Sequence, residues 1–123
     1  MTFKICRRCG NLVGMIRDSG AAMTCCGQEM ETLNPNTTDA AGEKHVPAVT
    51  VTEDKVIAKV GTVTHPMLPE HFIQWIALET DTGMHRKRLQ PGQAPEAEFV
   101  LNGEKPVAVY EFCNLHGLWK KDL

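Results

Sequence analysis

Hydrophobic and polar positions alternate along most of the chain in short runs, and no segment keeps the 3.6-residue period of a helix. Beyond residue 45 several of the runs are rich in β-branched or aromatic residues, and turn residues separate them. We therefore predict strands over residues 46–52, 55–63, 72–80, 84–89, 97–101 and 107–113. Glu53-Asp54 would connect the first two as a hairpin. About six or seven short strands with frequent turns indicate an antiparallel β-sandwich.

The N-terminal part of the chain has a different pattern. Short apolar runs at 3–5, 12–16, 21–24 and 30–33 are broken by glycine, and the polar, turn-rich residues 34–42 then indicate a linker. A unit of about 36 residues buries too little apolar surface to fold alone and usually needs a metal, disulfides or oligomerisation. We therefore predict a metal-stabilised module over residues 1–36 and a sandwich domain over residues 37–123.

Composition and charge exclude several classes of protein. The 123 residues are 42% hydrophobic and 23% charged, as in an ordinary globular protein. Thirteen Lys+Arg and fifteen Asp+Glu give a net charge of −2, so no basic field favours nucleic acid or an anionic membrane. No apolar run approaches the roughly 18–20 residues of a membrane span, and the N-terminus shows no apolar signal segment. We expect a cytoplasmic protein, where reducing conditions disfavour disulfides.

Four of the five cysteines lie within the first 26 residues, in Cys6-x-x-Cys9-Gly and Cys25-Cys26-Gly. A glycine after each pair allows the loop to fold back, so that backbone N–H groups can point at sulfur. Four thiolates in a tetrahedron suit Zn²⁺ or iron. The alternatives are a zinc ribbon that only holds the fold, and a strained Cys25–Cys26 disulfide, which a reducing compartment disfavours.

The fifth cysteine and four of the five histidines lie at predicted strand ends or turns: His45, His65, His71, Cys113 and His116. Because a sandwich gathers its loops at its ends, four imidazoles and one thiolate could converge on one ion. Five protein ligands are too many for an ordinary zinc site, and they fit a mid-row redox metal such as iron, with copper as the alternative. His85 lies in a basic run and is predicted to be a surface residue.

Taken together, these strings resemble desulfoferrodoxin, the two-iron form of superoxide reductase, over nearly the whole chain. The matching motifs are the two cysteine pairs, Glu43-Lys44-His45-Val46-Pro47, His65-Pro66-Met67, His71 and Cys113-Asn-Leu-His116-Gly-Leu-Trp. The resemblance implies a mainly β protein, in which a small desulforedoxin-like module with a four-cysteine iron site precedes an immunoglobulin-like antiparallel β-sandwich that carries the catalytic iron.

The resemblance also implies roles for individual residues. One iron would be held by Cys6, Cys9, Cys25 and Cys26, and the second by His45, His65, His71, His116 and an axial Cys113. The implied reaction is the one-electron reduction of superoxide to hydrogen peroxide without dioxygen release. Lys44 would attract the superoxide anion, and Glu43 could occupy the open position of the ferric ion. A homodimer with a rubredoxin-type electron donor is expected.

Three other functions are compatible with the residues alone. The chain could be a non-enzymatic iron electron carrier, a superoxide dismutase, or a copper sandwich protein with a zinc module. Kinetics with superoxide would identify a carrier, dioxygen evolution without a donor would identify a dismutase, and metal analysis would identify the copper protein.

Overall fold

The computed structural model describes all 123 residues and divides them into two compact units, Met1–Asn34 and Pro35–Leu123. The smaller unit contains five strands: β1 (Thr2–Ile5), β2 (Leu12–Met15), β3 (Thr24–Cys25), β4 (Gln28–Glu29) and β5 (Glu31–Thr32). The larger unit contains one helical turn and seven strands: α1 (Gly42–His45), β6 (Pro47–Val51), β7 (Lys55–Val60), β8 (Ile73–Thr80), β9 (Met84–Arg88), β10 (Glu96–Val100), β11 (Pro106–Cys113) and β12 (Gly117–Asp122). The predicted mainly β fold is confirmed.

The smaller unit is built on β1, which pairs with β2 and β5 in an antiparallel sheet, while β3 and β4 form a separate hairpin. Its buried apolar side chains are few, namely Phe3, Ile5, Cys6 and Met30. Such a core is too small to offset the conformational entropy lost on folding. A cross-link between loops, by metal or otherwise, is therefore the expected source of its stability.

The larger unit consists of two antiparallel sheets, one with the strand order β10-β7-β6 and the other with the order β12-β11-β8-β9. Alternate side chains of β7 and β10 point into the core, as shown by buried Val56, Ala58, Ala97 and Phe99. Strands β8 and β11 are buried along nearly their whole length and form the centre of the second sheet. The core ends at Cys113, the last residue of β11.

The strand boundaries depart from the sequence prediction in two informative places. The predicted strand over residues 55–63 ends at Val60, because Gly61 turns the chain against the backbone of the segment around α1. Strand β12 has no counterpart among the predicted strands, because its second half, Lys120–Asp122, is charged and partly exposed. Both departures lie beside the residues that carry the candidate chemistry.

The segment predicted as a linker is partly fixed against the larger unit. Asn36 donates its backbone N–H to the carbonyl of Leu118 at 3.1 Å. Its side chain accepts from the backbone N–H of Lys120 at 2.8 Å and donates to the carbonyl of Lys120 at 3.0 Å. Residues around Asn36 therefore cover part of the exposed edge of β12.

None of the helical structure has the length and apolar character needed to cross a bilayer.

Candidate metal centres

The structure brings the four N-terminal cysteines together at one point of the smaller unit, with their sulfur atoms all within 4.8 Å of one another. The Sγ atoms of Cys9 and Cys25 are 3.6 Å apart, and those of Cys25 and Cys26 are 3.9 Å apart. A disulfide requires about 2.05 Å between sulfurs, and all five cysteines of the chain are free. The geometry is that of a four-thiolate pocket, not of a Cys25–Cys26 disulfide.

Backbone conformation creates this pocket. The loop after β1 is closed by the bond from the Gly10 N–H to the Cys6 carbonyl at 2.8 Å, and Gly10 has a φ of +84°. Gly27, after the second pair, has a φ of +73°, so both glycines adopt the left-handed conformation that the sequence predicted. Backbone N–H groups then point at sulfur, with Cys9 N 3.5 Å from Cys6 Sγ.

The four thiols also perturb one another electrostatically. The backbone N–H of Cys9 stabilises the thiolate of Cys6 and lowers the pKa of that thiol to about 6. Hydrogen bonding with the neighbouring sulfurs raises the pKa of Cys26 to about 12. Deprotonating all four sulfurs in this space is therefore unfavourable without a cation. A divalent or trivalent metal would remove that obstacle, because metal binding releases the thiol protons.

The second cluster lies at one end of the sandwich and joins three separate parts of the larger unit. His45 ends α1, His65 and His71 lie in the loop between β7 and β8, and Cys113 and His116 flank the turn between β11 and β12. One ligand-type atom from each of these five side chains lies within 4.8 Å of all the others. Together the two clusters contain the nine cysteine and histidine side chains that the sequence suggested as metal ligands.

The four imidazoles form a closed cycle. Neighbouring ring centroids are separated by 4.7 Å (His45–His65), 4.6 Å (His65–His71), 5.2 Å (His71–His116) and 4.9 Å (His116–His45). Each neighbouring pair is close to perpendicular, with interplanar angles of 76–90°. The ring nitrogens face the centre of this cycle, where Nε2 of His45 lies 3.2 Å from Nε2 of His65 and 3.1 Å from Nδ1 of His116.

Contacts outside the cluster fix the orientation of two rings. The Nδ1 atom of His45 lies 2.8 Å from the carbonyl of Ala41, and Nδ1 of His65 lies 2.7 Å from the carbonyl of Pro66. A carbonyl only accepts, so each Nδ1 carries the proton and each Nε2 presents a lone pair to the centre. Trp119 stacks on His45 at 4.8 Å and donates its indole N–H to the His116 carbonyl at 3.1 Å.

Burial keeps three of the imidazoles in the form that binds metals. It lowers the pKa of His65 to about 4 and also lowers the pKa of His45 and His71. These imidazoles are therefore neutral near pH 7, so no proton needs to be displaced from them. The Nε2 atom of His71 is buried without a hydrogen-bond partner. The imidazole lone pairs converge on the centre of the cycle, and one of these nitrogens has no other partner. A metal ion at the centre would satisfy them.

The two faces of the histidine cycle differ. On one face lies a cavity of about 280 Å³, lined by the four imidazoles together with Ala40, Ala41, Lys44 and Pro66. Cys113 does not line this cavity and is fully buried, with Sγ 3.5 Å from Nε2 of His65. The thiol therefore contacts the cycle from the core, and the opposite face remains open to a small ligand.

The charged residues that precede His45 occupy different positions. Lys44 is exposed and lines the cavity. Glu43 is exposed and does not line it; its backbone carbonyl accepts from Val63 N–H at 2.9 Å and from the Thr62 hydroxyl at 3.2 Å. His85 lies in β9 and contacts Glu104 at 2.9 Å, outside the cluster. A cation at the mouth is therefore present, while Glu43 would have to reorient to reach the centre.

Sequence reasoning missed two features beside Cys113. Glu111 is fully buried, neither of its carboxylate oxygens has a hydrogen-bond partner, and burial raises the pKa of this carboxyl well above its ordinary value. Asn114 bonds the loop that carries His71. Alternation along β11 could have placed Glu111 in the core with Val109 and Cys113. The contacts of Asn114 depend on which loops meet and had no signal in the chain.

Comparisons with known proteins agree with this geometry. The family model described as desulfoferrodoxin matches residues 37–122. Desulfoferrodoxin of Syntrophotalea carbinolica is 48% identical, covering 95% of this chain and 92% of that protein. The superoxide reductase of Thermococcus kodakarensis is 32% identical, covering 69% of this chain and 90% of that protein. The crystal structure of the superoxide reductase from Treponema pallidum superposes with a TM-score of 0.81 at 39% identity, covering 98% of both chains.

Proposed function

The chain belongs to the desulfoferrodoxin family, and from this premise we propose how its residues carry out the reduction of superoxide. It is a superoxide reductase: one superoxide anion, one electron and two protons give one hydrogen peroxide, with no dioxygen released. The observation that carries this conclusion is the cycle of four imidazoles with a buried thiol behind it and a cavity in front. The protein uses two iron ions, one at each cluster.

We assign the ligands from the convergence of the side chains. Cys6, Cys9, Cys25 and Cys26 would hold the first iron, and His45, His65, His71, His116 and Cys113 would hold the second. Ferrous iron held by the second cluster would supply the one electron that superoxide accepts. The sulfur of Cys113 would donate electron density from the core side, as axial thiolates do in haem proteins. The protein leaves the cavity side free for the substrate.

Lys44 would serve the substrate in two ways. It is the cationic side chain in the lining of the cavity, so its field raises the local concentration of an anion and its association rate. Its ammonium group can also hold a water molecule at the mouth, from which protons reach the product. Glu43 would turn toward the open face once the peroxide product has left, because a hard carboxylate favours the ferric state; its exposed position permits this movement.

The remaining partners follow from the stoichiometry and from the family. Each turnover consumes one electron, so the enzyme needs a one-electron donor, and we propose a protein of the rubredoxin type. We further propose a cytoplasmic homodimer. Analytical ultracentrifugation of the iron-loaded chain tests the dimer, and reduction of the second iron by a candidate rubredoxin under anaerobic conditions tests the donor.

Pulse radiolysis of the full-length, iron-loaded protein tests the function itself. A reductase consumes superoxide in a fast second-order reaction and forms one peroxide per superoxide while a donor is present. A dismutase would instead form one dioxygen per two superoxide anions without a donor, and an electron carrier would react slowly. Metal analysis of the same sample excludes the copper alternative if iron is found at two per chain.

Replacing Cys113 by serine tests the ligand assignment. Cys113→Ser should remove the thiolate-to-iron absorption of the second site and slow the reaction with superoxide, because a hydroxyl does not donate electron density as a thiolate does. The four-cysteine site in the same molecule serves as the internal control, and its absorption should be unchanged. An unaltered spectrum of the second iron would show that Cys113 is not its ligand.

A further inference from the structure

The structure points to Asn114 as the positioning residue for His71, an inference that rests on the proposed role of His71 as a ligand of the second iron. We propose that the Asn114 side chain sets the place of this imidazole in the cycle by holding the backbone on both sides of it. Asn114 itself does not contact the iron site, and it acts through the loop that carries the ligand.

His71 differs from His45 and His65 in how it is held. Those two rings are oriented by bonds from Nδ1 to backbone carbonyls, at 2.8 and 2.7 Å. No hydrogen bond to the His71 ring is present, and its Nε2 is buried without a partner. Its position must therefore come from its backbone, since a ligand ring needs an outer partner or a fixed main chain to stay aligned with the metal.

Asn114 provides that fixation through three bonds. Its Oδ1 accepts from the Phe72 N–H at 2.9 Å, and its Nδ2 donates to the Glu70 carbonyl at 3.0 Å. Its own backbone N–H donates to the Phe72 carbonyl at 3.2 Å. The two side-chain bonds therefore engage the residues immediately before and after His71.

The bonds of Asn114 extend the contact between the β11 and β8 segments beyond the end of their regular strand pairing. The pairing of β11 with β8 shifts register just before its last pair, Cys113 with Ile73, and no regular pair follows. His71 makes two backbone bonds of its own, both within its loop, from its N–H to the Leu68 carbonyl at 3.0 Å and from the Leu68 N–H to its carbonyl at 2.9 Å. Those bonds close the loop on itself. The Asn114 side chain, together with the Asn114 backbone N–H, ties this closed loop to the turn that carries Cys113 and His116.

The test compares iron release from the two sites of full-length, iron-loaded protein challenged with an iron chelator. In Asn114→Ala, iron should leave the second site about tenfold faster than in the parent, the lower end of the loss seen when outer partners of ligands are removed. The four-cysteine iron should leave at the parental rate. The matched control is Thr52→Ala, which removes side-chain hydrogen bonds with Asp54 and Lys55 in the turn between β6 and β7; both irons should then leave at the parental rate.

A second readout follows the loop directly. Hydrogen exchange of the peptide that contains Phe72, measured by mass spectrometry, should accelerate in Asn114→Ala, because the Phe72 N–H loses its acceptor. Asn114→Asp keeps an acceptor for Phe72 but cannot donate to Glu70. Asn114→Asp should preserve the protection of Phe72 and release iron at a rate between those of the parent and the alanine variant. It also tests the inference if the alanine variant fails to fold.

The outcomes separate this inference from the proposed function. Faster release from the second site alone, with faster exchange at Phe72, supports the role of Asn114. Parental release in Asn114→Ala despite faster exchange at Phe72, or parental release in Asn114→Asp, would overturn it. Absence of iron from the second site of the parent protein would instead contradict the ligand assignment on which the inference rests.

Discussion

At the second cluster, the uncharged ligand side chains and the one cationic side chain lie in different places. His45 and His65 are buried and burial lowers the pKa of both, the thiol of Cys113 lies in the core, and Lys44 lies at the open mouth. A small anion that approaches the cavity therefore meets one positive charge before it meets the ligands. This arrangement makes the contribution of Lys44 separable from that of the net charge of the protein.

Removing the charge of Lys44 should slow the capture of superoxide. Lys44→Ala should lower the second-order rate constant by about tenfold at low ionic strength, the lower end of the effect of focused charge on association. The dependence of this rate constant on salt concentration should also become weaker, because salt then has less attraction between protein and superoxide to screen. Stopped-flow or pulse radiolysis at several salt concentrations measures both.

The control for Lys44 is a lysine remote from the cavity. Lys121→Ala removes the same charge from the exposed part of β12, so it changes the net charge equally. It should leave the rate constant and its salt slope close to those of the parent. Equal slopes for Lys44→Ala and the parent would show that the charge at the mouth does not steer the anion.

At the level of the secondary-structure elements, the position of the α1 turn depends on a close contact between its backbone and Gly61. A Cβ atom added at Gly61 would lie 2.7 Å from the carbonyl oxygen of Glu43 and 2.9 Å from that of Val46. Both neighbours are backbone atoms, which cannot move aside as the end of a flexible side chain can. The residues between them include Lys44 and His45, so this contact sets where α1 places a ligand and the cation.

Gly61→Ala should therefore displace α1 and weaken the second site. We expect a loss of about 1–3 kcal/mol in the free energy of unfolding, as for other overpacked sites, together with less iron bound at the second site. Thermal unfolding and iron analysis measure these effects. Gly42→Ala is the control within α1 itself, because a Cβ there meets nothing within 4 Å. If both variants behaved alike, the close approach at Gly61 would not be what positions His45.

The same elements show which parts of the structure could be predicted from sequence. Most strands from β6 to β11 follow from runs of β-branched and aromatic residues, although β9 contains neither. The nine clustered side chains follow from cysteine and histidine spacing together with the family resemblance. Strand β12 could not be predicted, because its charged second half lies at a sheet edge where polarity carries no penalty. The bonds of Asn114 and the approach at Gly61 depend on which loops meet, and local pattern does not encode that.

The whole molecule consists of two units with separate means of stabilisation. Met1–Asn34 has few buried apolar side chains around its four cysteines, whereas Pro35–Leu123 has a continuous core between two sheets. The family model matches residues 37–122, within the larger unit. The smaller unit should therefore depend on its metal to fold, and the larger one should fold through its own core.

Loss of one thiolate in the smaller unit should accordingly leave the second iron in place. In Cys9→Ser the four-cysteine site should lose its iron, so that bound iron falls from about two to about one per chain, because three sulfurs no longer complete a tetrahedral site. The thiolate-to-iron absorption of the second site should persist, whereas Cys113→Ser should remove that absorption and leave the absorption of the four-cysteine site unchanged. Metal analysis and visible spectra of both variants measure this. Loss of both irons from Cys9→Ser would mean that the larger unit requires the smaller one to hold its metal.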